Sequence, residues 1–215
     1  KLDETYRKLW DKKAAYLAKE NESSQDIFDR AGIYAEFGKI ICISSGIIFS
    51  NIEGTRCFKI KSFYNTDEKK LLQDFFEMLN KFDNNESKLL CAHNGKEFDF
   101  PYIARRALIN GLRLPLLLDI SGKKPWEIKH LDTMELWKFG DYKNYTSLEL
   151  LAKIFNIPTP KDDISGADVA KVYYSEKNID RIVKYCEKDV LAIAQLFLKY
   201  KCEDLITEDH VERIS

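Results

Sequence analysis

The sequence predicts an α/β domain whose mixed β-sheet is flanked by helices. A dense β-branched run, KIICISSGIIF at residues 39–49, is followed after a turn by the alternating run TRCFKIKSFYN at residues 55–65, and this pattern predicts an antiparallel hairpin. Helical segments and short apolar runs then alternate along the chain, which is typical of layered α/β proteins. The length of 215 residues suits one core, and we expect residues 1–215 to form a single domain.

The first half of the chain supplies the elements around this hairpin. Apolar residues at helical spacing predict a helix over residues 6–20, before the hairpin. After the hairpin, residues 67–79 form an amphipathic pattern, and Thr66 stands where an N-cap is expected. Residues 88–93 predict a short buried strand, and residues 98–112 predict the helix that follows it.

The second half of the chain has clearer helix boundaries. Residues 128–131 predict another short strand. A capping box, TSLE at residues 146–149, opens a helix that ends before Pro158. Asn178 is the expected N-cap of the last helix, which runs from Ile179 to about Lys201.

Composition narrows the class of protein. The chain has 34 lysine and arginine residues and 35 acidic residues, so its net charge is −1. Proteins that bind along a long duplex usually have an excess of basic residues, and this chain has none. We therefore expect any nucleic acid to be bound through local contacts over a short stretch. No run of about 18 apolar residues occurs, so we expect no membrane span. The five cysteines form no CxxC pair and lie in apolar contexts, which indicates core thiols in a reducing, cytoplasmic compartment and no structural zinc.

The last helix carries an acidic residue at an unexpected position. At about 100° per residue, its apolar positions form one continuous stripe. This stripe contains Ile179, Ile182, Val183, Cys186, Val190, Ile193, Ala194 and Phe197. Asp189 falls on the edge of the stripe, and Tyr185 stands one turn earlier on the same side. Asp189 is either a buried carboxylate with a hydrogen-bond or arginine partner, or a ligand of a divalent cation such as Mg²⁺.

The stretch CAHNGKEFDF at residues 91–100 places polar groups where a strand gives way to a helix. Asn94-Gly95 is a common turn dipeptide, and the helix dipole favours Asp99 at the start of a helix, so both have a structural explanation. The functional alternative is that Asp99 faces the same cleft as Asp189, because strand ends in α/β sheets open onto ligand crevices.

Together these residues resemble a known family. NGKEFDFPYI at residues 94–103, followed by YCEKD at residues 185–189, resembles the second and third motifs of the DEDD 3′-5′ exonucleases, which have the ribonuclease H-like fold. The tyrosine of the third motif matches the DEDDy branch. The sequence is most similar to the proofreading domains of family B DNA polymerases and to stand-alone bacterial proteins predicted as related exonucleases. The resemblance covers most of the chain, from the hairpin to the final helix.

The resemblance implies a metal-dependent 3′-5′ exonuclease that hydrolyses phosphodiester bonds at the 3′ end of single-stranded or frayed DNA. It implies two divalent ions, Mg²⁺ or Mn²⁺. Asp99, Tyr185 and Asp189 correspond to catalytic residues: the two acids hold metal, and the tyrosine orients the attacking water. Asn94 and Phe98 correspond to positions that touch the terminal nucleotides, by hydrogen bonding and by ring packing.

The family's first motif, an Asp-x-Glu pair on the central first strand, has no counterpart in the sequence. Asp3-Glu4 lacks both the spacing and an apolar strand before it, while Asp132 and Glu135 occur where the family has a mainly structural Asp. We therefore expect the domain to be N-terminally incomplete, with the first strand missing from the chain. The parent protein should then have an apolar strand with Asp-x-Glu before Lys1.

Several other polar residues have both a structural and a functional explanation: His93, His130, Lys123, Lys124, Trp126, Arg105, Arg106, Asp162 and Asp163. The histidines lie in buried strands and are expected to be core residues. The lysines and the tryptophan fit a solvated loop as well as a nucleic-acid contact, and the arginines fit phosphate binding or a surface ion pair. The two aspartates are expected to begin a helix rather than to bind metal.

Two alternatives to a DNA exonuclease stay open. A ribonuclease H-like module that binds nucleic acid without cleaving it would explain the missing first motif, although retention of the three catalytic residues argues against a decayed site. A 3′-5′ exoribonuclease of the same fold would differ only in pocket geometry near the 2′ position. No polymerase-sized segment follows Ser215, so we expect no polymerase domain in cis.

Overall fold

The chain folds into a mixed sheet flanked by helices, which confirms the predicted α/β class. The computed structural model describes residues 3–82, 88–141, 143–158 and 164–214. No helix in this described part of the chain is both long and apolar enough to cross a membrane. The expected helix start at Asp162 and Asp163 lies outside the described residues.

The predicted hairpin forms the larger sheet. Strands β1 (Cys42–Ser50) and β2 (Arg56–Tyr64) pair antiparallel along their whole length. Asn51 closes the turn between them, since its side-chain oxygen accepts from the backbone N–H of Thr55 at 2.8 Å. A further strand, β5 (Val211–Ile214), pairs parallel with β2, so the strand order is β1-β2-β5 and the sheet is mixed.

A second, two-stranded parallel sheet consists of β3 (Cys91–Ala92) and β4 (Leu131–Asp132). Both strands are shorter than the sequence predicts. The backbone N–H of Leu131 donates to the carbonyl of Leu90 at 2.8 Å. The N–H of Leu90, however, donates to the Nδ1 atom of His130 at 3.2 Å, so an imidazole replaces the next backbone partner and ends the ladder.

Seven α-helices are present among the described residues: α1 (Glu4–Ala14), α2 (Glu68–Phe82), α3 (Asp99–Ile109), α4 (Thr133–Lys138), α5 (Leu148–Ile154), α6 (Val169–Lys171) and α7 (Ile179–Tyr200). Short 3-10 helices span Phe28–Ile33, Leu116–Leu118, Pro125–Glu127, Gly166–Asp168 and Glu208–His210, and a π-helix spans Val172–Glu176. Asn178 caps α7 as predicted, because its side chain accepts from the N–H of Arg181.

Two other helix starts differ from the prediction by one residue. The carboxylate of Asp67, not the hydroxyl of Thr66, caps α2 by accepting from the N–H of Lys69 at 2.9 Å. In α5 the cap is Ser147, whose hydroxyl accepts from the N–H of Leu150. The predicted capping box at residues 146–149 is therefore wrong in register, although both helices begin where a polar side chain can satisfy a free backbone N–H.

Helix α7 packs across both sheets. It contacts β1, β2 and β3, and it also contacts α4 and α5. Its apolar stripe packs on the hairpin in a cluster of buried residues: Phe58, Ile60, Ala194, Leu198 and Ile206. Because one rigid helix spans the two sheets, its side chains lie beside the ends of strands from both.

A larger core joins α2 and α3 to the hairpin. Its buried residues are Ile40, Phe63, Leu71, Leu72, Phe75, Phe76, Leu79, Phe100, Ala107, Leu117 and Leu118. A buried ion pair between Glu68 of α2 and Arg106 of α3 lies at its edge. The Glu68 carboxylate also accepts from the N–H of Ile40 at 2.7 Å, and Arg106 donates to the carbonyl of Ala35 at 2.8 Å. Arg106 is thus a structural residue rather than a phosphate ligand.

Tyr102 gives α3 a second attachment to the segment before the sheet. Its hydroxyl donates to the carbonyl of Gly32 at 2.7 Å. A Cβ atom at Gly38 would lie 2.0 Å from the same hydroxyl oxygen, so the close approach requires glycine at position 38. Helix α3 is therefore tied to residues 32–38 by two side chains one turn apart.

The five cysteines are free, and their surroundings differ from the prediction of core thiols. Cys57 is buried, while Cys42 and Cys186 are partly buried. Cys91 and Cys202 are exposed, so the prediction is wrong for these two. Apolar residues precede Cys91 in the sequence, but it lies on a two-residue strand, and Cys202 follows the end of α7.

Candidate active site

The turn between β3 and α3 is built around Gly95. Asn94 has a φ of 63°, in the left-handed region, and its carbonyl accepts from the N–H of Phe98 at 3.0 Å. Gly95 is buried, and a Cβ atom there would lie 2.3 Å from the Cβ atom of Ala92. The dipeptide therefore bends the chain between strand and helix, as predicted, and the bend leaves no space for a side chain at position 95.

Asp132 holds this turn from the neighbouring strand. It is 3% exposed, and its carboxylate accepts from the N–H of Asn94 at 2.8 Å and of Lys96 at 3.1 Å. The same carboxylate caps α4 by accepting from the N–H of Met134 at 3.0 Å and of Glu135 at 3.4 Å. Four backbone donors compensate its charge, so Asp132 is a structural acid, as the sequence comparison with the family implied.

Asp99 is the first residue of α3 and lies beside this turn. A Cβ atom at Gly95 would lie 3.5 Å from its Oδ2 atom. Desolvation of the carboxyl group raises the pKa of Asp99 to about 6, and the negative charge of Asp132 adds to the rise. The residue is still exposed to solvent on its outer side. An exposed carboxylate with a raised pKa next to a second carboxylate gains stability from a nearby cation.

Tyr185 and Asp189 lie one turn apart on α7, and both are partly buried. Tyr185 packs into an apolar cluster with Ile182 and Ile164. Its hydroxyl oxygen is 4.0 Å from where a Cβ atom at Gly166 would stand, so the 3-10 helix at Gly166–Asp168 passes close to it without a side chain between them. The structure thus keeps the phenol next to a glycine backbone rather than under a bulky residue.

Asn94 and Phe98, the expected substrate contacts, precede Asp99 in the turn between β3 and α3. Asn94 is partly buried, whereas Phe98 is 44% exposed. The Phe98 ring lies 5.6 Å from the ring of Tyr102, centroid to centroid, in a tilted arrangement. Because the hydroxyl of Tyr102 is itself bonded to Gly32, Phe98 presents an aromatic surface to solvent on a fixed support.

The two histidines near the site are structural, as predicted. His93 uses both ring nitrogens: Nδ1 bonds to the hydroxyl of Thr133 and Nε2 to the carbonyl of Thr146, each at 2.9 Å. Burial lowers the pKa of His93, which favours the neutral ring in this position. His130 likewise accepts from Leu90 and bonds to the carbonyl of Leu117 at 2.6 Å.

The remaining candidates are exposed residues: Lys123, Lys124, Trp126 and Arg105. Lys124 stands over the ring of Trp126 at 5.2 Å, and the ring is 74% exposed, which is the geometry of a solvated loop. Arg105 is exposed on α3. Neither observation adds these residues to the site.

A polar contact that sequence patterns did not indicate joins the hairpin to α7. The hydroxyls of Ser44 and Ser62 bond across the hairpin at 2.8 Å, and Ser62 donates to the Glu187 carboxylate at 2.8 Å. Arg213 of β5 lies 3.5 Å from the same carboxylate. Ser44 and Ser62 lie in strands whose sequences are mostly apolar. They are opposite each other only because of the register in which β1 and β2 pair.

The acids of the described residues do not form a complete metal site. No group of three or more His, Cys, Asp or Glu side chains in residues 3–82, 88–141, 143–158 and 164–214 is arranged to hold an ion. Asp99 and Asp189 supply oxygen donors of the kind that Mg²⁺ and Mn²⁺ prefer. Their carboxylates are therefore chemically suited to a divalent-metal site, and the described residues alone do not complete one.

The fold and this site define the class of protein. A mixed sheet flanked by helices, with an acid after a short parallel strand and a tyrosine–aspartate pair on the last helix, is consistent with an exonuclease of the ribonuclease H-like fold. The family described as "Predicted 3′-5′ exonuclease related to the exonuclease domain of PolB" matches residues 33–214, and the chain belongs to this family.

Distant relatives support the same class. The chain is 23% identical over 182 residues to DNA polymerase 1 of Pyrococcus abyssi, which covers 75% of the chain and 22% of the polymerase. It is 23% identical over 144 residues to a DNA polymerase of Pyrococcus glycovorans, covering 61% of the chain and 18% of that protein. A DNA polymerase of Desulfurococcus sp. (strain Tok) is 22% identical over 142 residues, covering 60% of the chain and 18% of that protein. The chain thus spans about a fifth of the length of these relatives.

Proposed function

We propose that the chain is a metal-dependent 3′-5′ exonuclease that hydrolyses phosphodiester bonds at the 3′ end of single-stranded or frayed DNA. One observation carries the proposal: in a chain of this family, Asp99 begins the helix after β3, and α7, which bears Tyr185 and Asp189, packs against β3. Three side chains suited to phosphodiester hydrolysis therefore belong to elements that meet at one strand end.

Each of the three residues has a distinct role in this proposal. Asp99 and Asp189 would hold the divalent ions, Mg²⁺ or Mn²⁺, and two such ions supply electrostatic stabilisation of the attacking and leaving oxygens. Tyr185 hydrogen-bonds the attacking water through its phenol and orients it towards the phosphorus. The cluster around Ile182 and Ile164 restricts the tyrosine ring, which favours a single orientation of that water.

Substrate binding rests on the turn at residues 94–98. The carboxamide of Asn94 would hydrogen-bond the terminal nucleotide, and the exposed ring of Phe98 would pack on its sugar or base. Such contacts grip a few unpaired nucleotides and do not need a broad basic surface, which agrees with the net charge of −1. The free thiols suit a reducing compartment, and we infer a cytoplasmic location.

The missing ligands would lie between the two sheets. Among the described residues, β1 pairs with a strand only on its β2 side, β3 pairs only with β4, and α7 packs on both. We infer that a strand from outside residues 1–215 pairs with these free edges and brings an Asp-x-Glu pair to the carboxylates of Asp99 and Asp189. Its insertion would join the two sheets into one and complete the set of four acids.

The proposal is tested on the full-length protein with 5′-labelled and, separately, 3′-labelled single strands of DNA and RNA. Reactions contain Mg²⁺, Mn²⁺ or EDTA. We expect stepwise shortening from the 3′ end with either metal, none in EDTA, and faster cleavage of DNA. Asp189→Asn and Tyr185→Phe should reduce the rate by at least about 100-fold. Asp180→Asn, a matched change on an exposed position of the same helix, should leave the rate unchanged.

The other outcomes separate the alternatives. Strand binding without cleavage in either metal would identify a non-catalytic module, an outcome made plausible by the incomplete acid set in the described residues. Preferential shortening of RNA would identify an exoribonuclease. Full activity of Asp189→Asn would show that the assignment of the catalytic residues is wrong.

A further inference from the structure

The side chain of Tyr145 lies beside the segment that leads from β3 into α3. Its hydroxyl donates to the Glu97 carboxylate at 3.4 Å. The carbonyl of the next residue, Thr146, bonds to the Nε2 atom of His93 at 2.9 Å. Residues 145 and 146, which lie between α4 and α5, are therefore attached at two points to the segment that ends at Asp99.

This segment is also held from α4. The Lys96 ammonium lies 2.6 Å from the carboxylate of Glu135, and the lysine side chain is only 12% exposed. His93 bonds through its other ring nitrogen to the hydroxyl of Thr133, the first residue of α4. Tyr145 therefore has a defined position relative to the turn expected to touch the terminal nucleotide.

Tyr145 presents an exposed ring with a cation beside it. The residue is 64% exposed, and the Lys138 ammonium lies 4.4 Å from the centroid of the ring. Glu135 stands three residues before Lys138 on α4, where it could pair with that lysine. Because the Glu135 carboxylate is paired with Lys96 instead, the Lys138 charge is available to a phosphate.

The rings of Phe98 and Tyr145 have different supports. Phe98 packs against Tyr102 of α3 at 5.6 Å between centroids, whereas Tyr145 is bonded to Glu97 and has Lys138 of α4 beside it. Two exposed rings on separate supports can each stack a different base, and such stacking tolerates any base sequence.

We propose that Tyr145 and Lys138 form a second nucleotide site for single-stranded DNA, upstream of the terminal nucleotide. A base stacks on the Tyr145 ring, and a neighbouring phosphate pairs with the Lys138 ammonium. The inference rests on the proposed function, because it takes the 3′ end of this strand to lie at Asp99. A base in a duplex must unpair before it can stack on a protein ring, so the second site selects ends with more than one unpaired nucleotide.

The test measures binding of a short 5′-labelled oligothymidine to the full-length protein in EDTA by fluorescence anisotropy. One base at a time is removed from the second to the fourth nucleotide, counted from the 3′ end. In the wild type, removal at one of these positions should raise the Kd at least about 5-fold. In Tyr145→Ala the same removal should have no further effect. Tyr145→Phe keeps the ring and should behave as the wild type.

The phosphate contact is tested through the dependence of the Kd on salt. Lys138→Gln should reduce the slope of log Kd against log salt concentration by about 0.7, while Lys138→Arg should keep it. Trp126→Ala is the matched control, since its ring is 74% exposed with Lys124 at 5.2 Å. This variant should retain both the wild-type slope and the effect of base removal.

The outcomes separate the second site from the proposed function. Equal effects of base removal in the wild type and Tyr145→Ala would overturn the second site, whatever the nuclease activity. Ring-dependent binding of RNA but not of DNA would overturn the assignment of the ligand. A wild-type protein that shows the ring-dependent effect but cleaves no strand with Mg²⁺ or Mn²⁺ would refute the proposed function and still support a base site at Tyr145.

Discussion

The carboxyl group of Asp99 lies against the backbone of Gly95, at a point where a side chain does not fit. A Cβ atom at position 95 would be 3.5 Å from the Oδ2 atom of Asp99 but only 2.3 Å from the Cβ atom of Ala92. The glycine therefore sets the distance between β3 and the start of α3, and with it the position of the proposed metal ligand.

Gly95→Ala should disturb both stability and activity. The overlap with Ala92 must be relieved by moving the turn, at a cost of about 1–3 kcal/mol in unfolding free energy, and the movement displaces Asp99. We expect at least about 10-fold slower cleavage. Urea unfolding and a single-strand cleavage assay measure the two effects. Gly32→Ala is the control, since a Cβ atom there meets nothing within 4 Å; equal behaviour of the two variants would refute the steric argument.

Asp99→Asn should make the protein more stable while removing its activity. The folded-state pKa of Asp99 is about 6, against an ordinary value of 3.8, so ionisation opposes folding as the pH rises through this range. Because the residue is exposed, solvent screens the penalty, and we expect about 1 kcal/mol of added stability at pH 7 in EDTA. The gain should disappear below about pH 4. Unfolding curves at several pH values check this, and a destabilised variant would contradict it.

Glu68→Gln should destabilise the protein in a pH-dependent manner. Burial opposes ionisation of Glu68, but the hydrogen bonds from Arg106, Ile40 and Asn110 outweigh it and hold the pKa below its ordinary value of 4.5. The carboxylate therefore contributes stability above about pH 4.5 that is lost as the pH falls through its folded-state pKa. At pH 7 we expect a loss of about 2–4 kcal/mol, because the variant leaves Arg106 buried without a counter-charge.

Two observations would check the Glu68 prediction. The difference in unfolding free energy between Glu68→Gln and the wild type should shrink as the pH is lowered from 5 to about 3, since protonated glutamic acid and glutamine are both neutral. Glu77→Gln removes an exposed pair with Lys81 and should leave the denaturation midpoint unchanged. A constant difference at all pH values would show that packing, rather than charge, explains the loss.

Phe98→Ala should weaken binding of single strands more than it affects folding. A base stacked on an aromatic ring contributes about 1–3 kcal/mol, so we expect the Kd for a short single strand to rise about 5- to 150-fold. Fluorescence anisotropy in EDTA measures binding without cleavage. Tyr16→Ala removes a ring that is 89% exposed near α1 and should leave the Kd unchanged. A similar loss in both variants would mean that the aromatic contact is not specific to this turn.

The parts of the fold that the sequence predicted best were those fixed by local chemistry. The hairpin follows from β-branched residues and an Asn51 turn, and α7 begins at Asn178 because its side chain binds a free backbone N–H. The helical stripe also identified Asp189 as misplaced among apolar residues. These signals are contained within a few neighbouring residues, so the sequence alone displays them.

The features that the sequence did not predict depend on distant partners. β5 is a short, mostly exposed segment, and it forms a strand because its backbone pairs with the edge of β2. β3 ends early because the His130 ring takes the N–H of Leu90. The sequence alone is consistent with a surface cation at Arg106, and its ion pair with Glu68 is formed only in the fold.

The two attachments of α3 have a consequence for how the site keeps its shape. Tyr102 and Arg106 reach back to the carbonyls of Gly32 and Ala35, while Asp99 stands at the opposite, leading end of the same helix. These two hydrogen bonds prevent α3 from shifting along its axis, so the N-terminal end of the helix, where Asp99 lies, keeps its position. The position of Asp99 therefore depends on residues 32–35, which precede β1. A change that weakens the packing of those residues would also displace the Asp99 carboxylate.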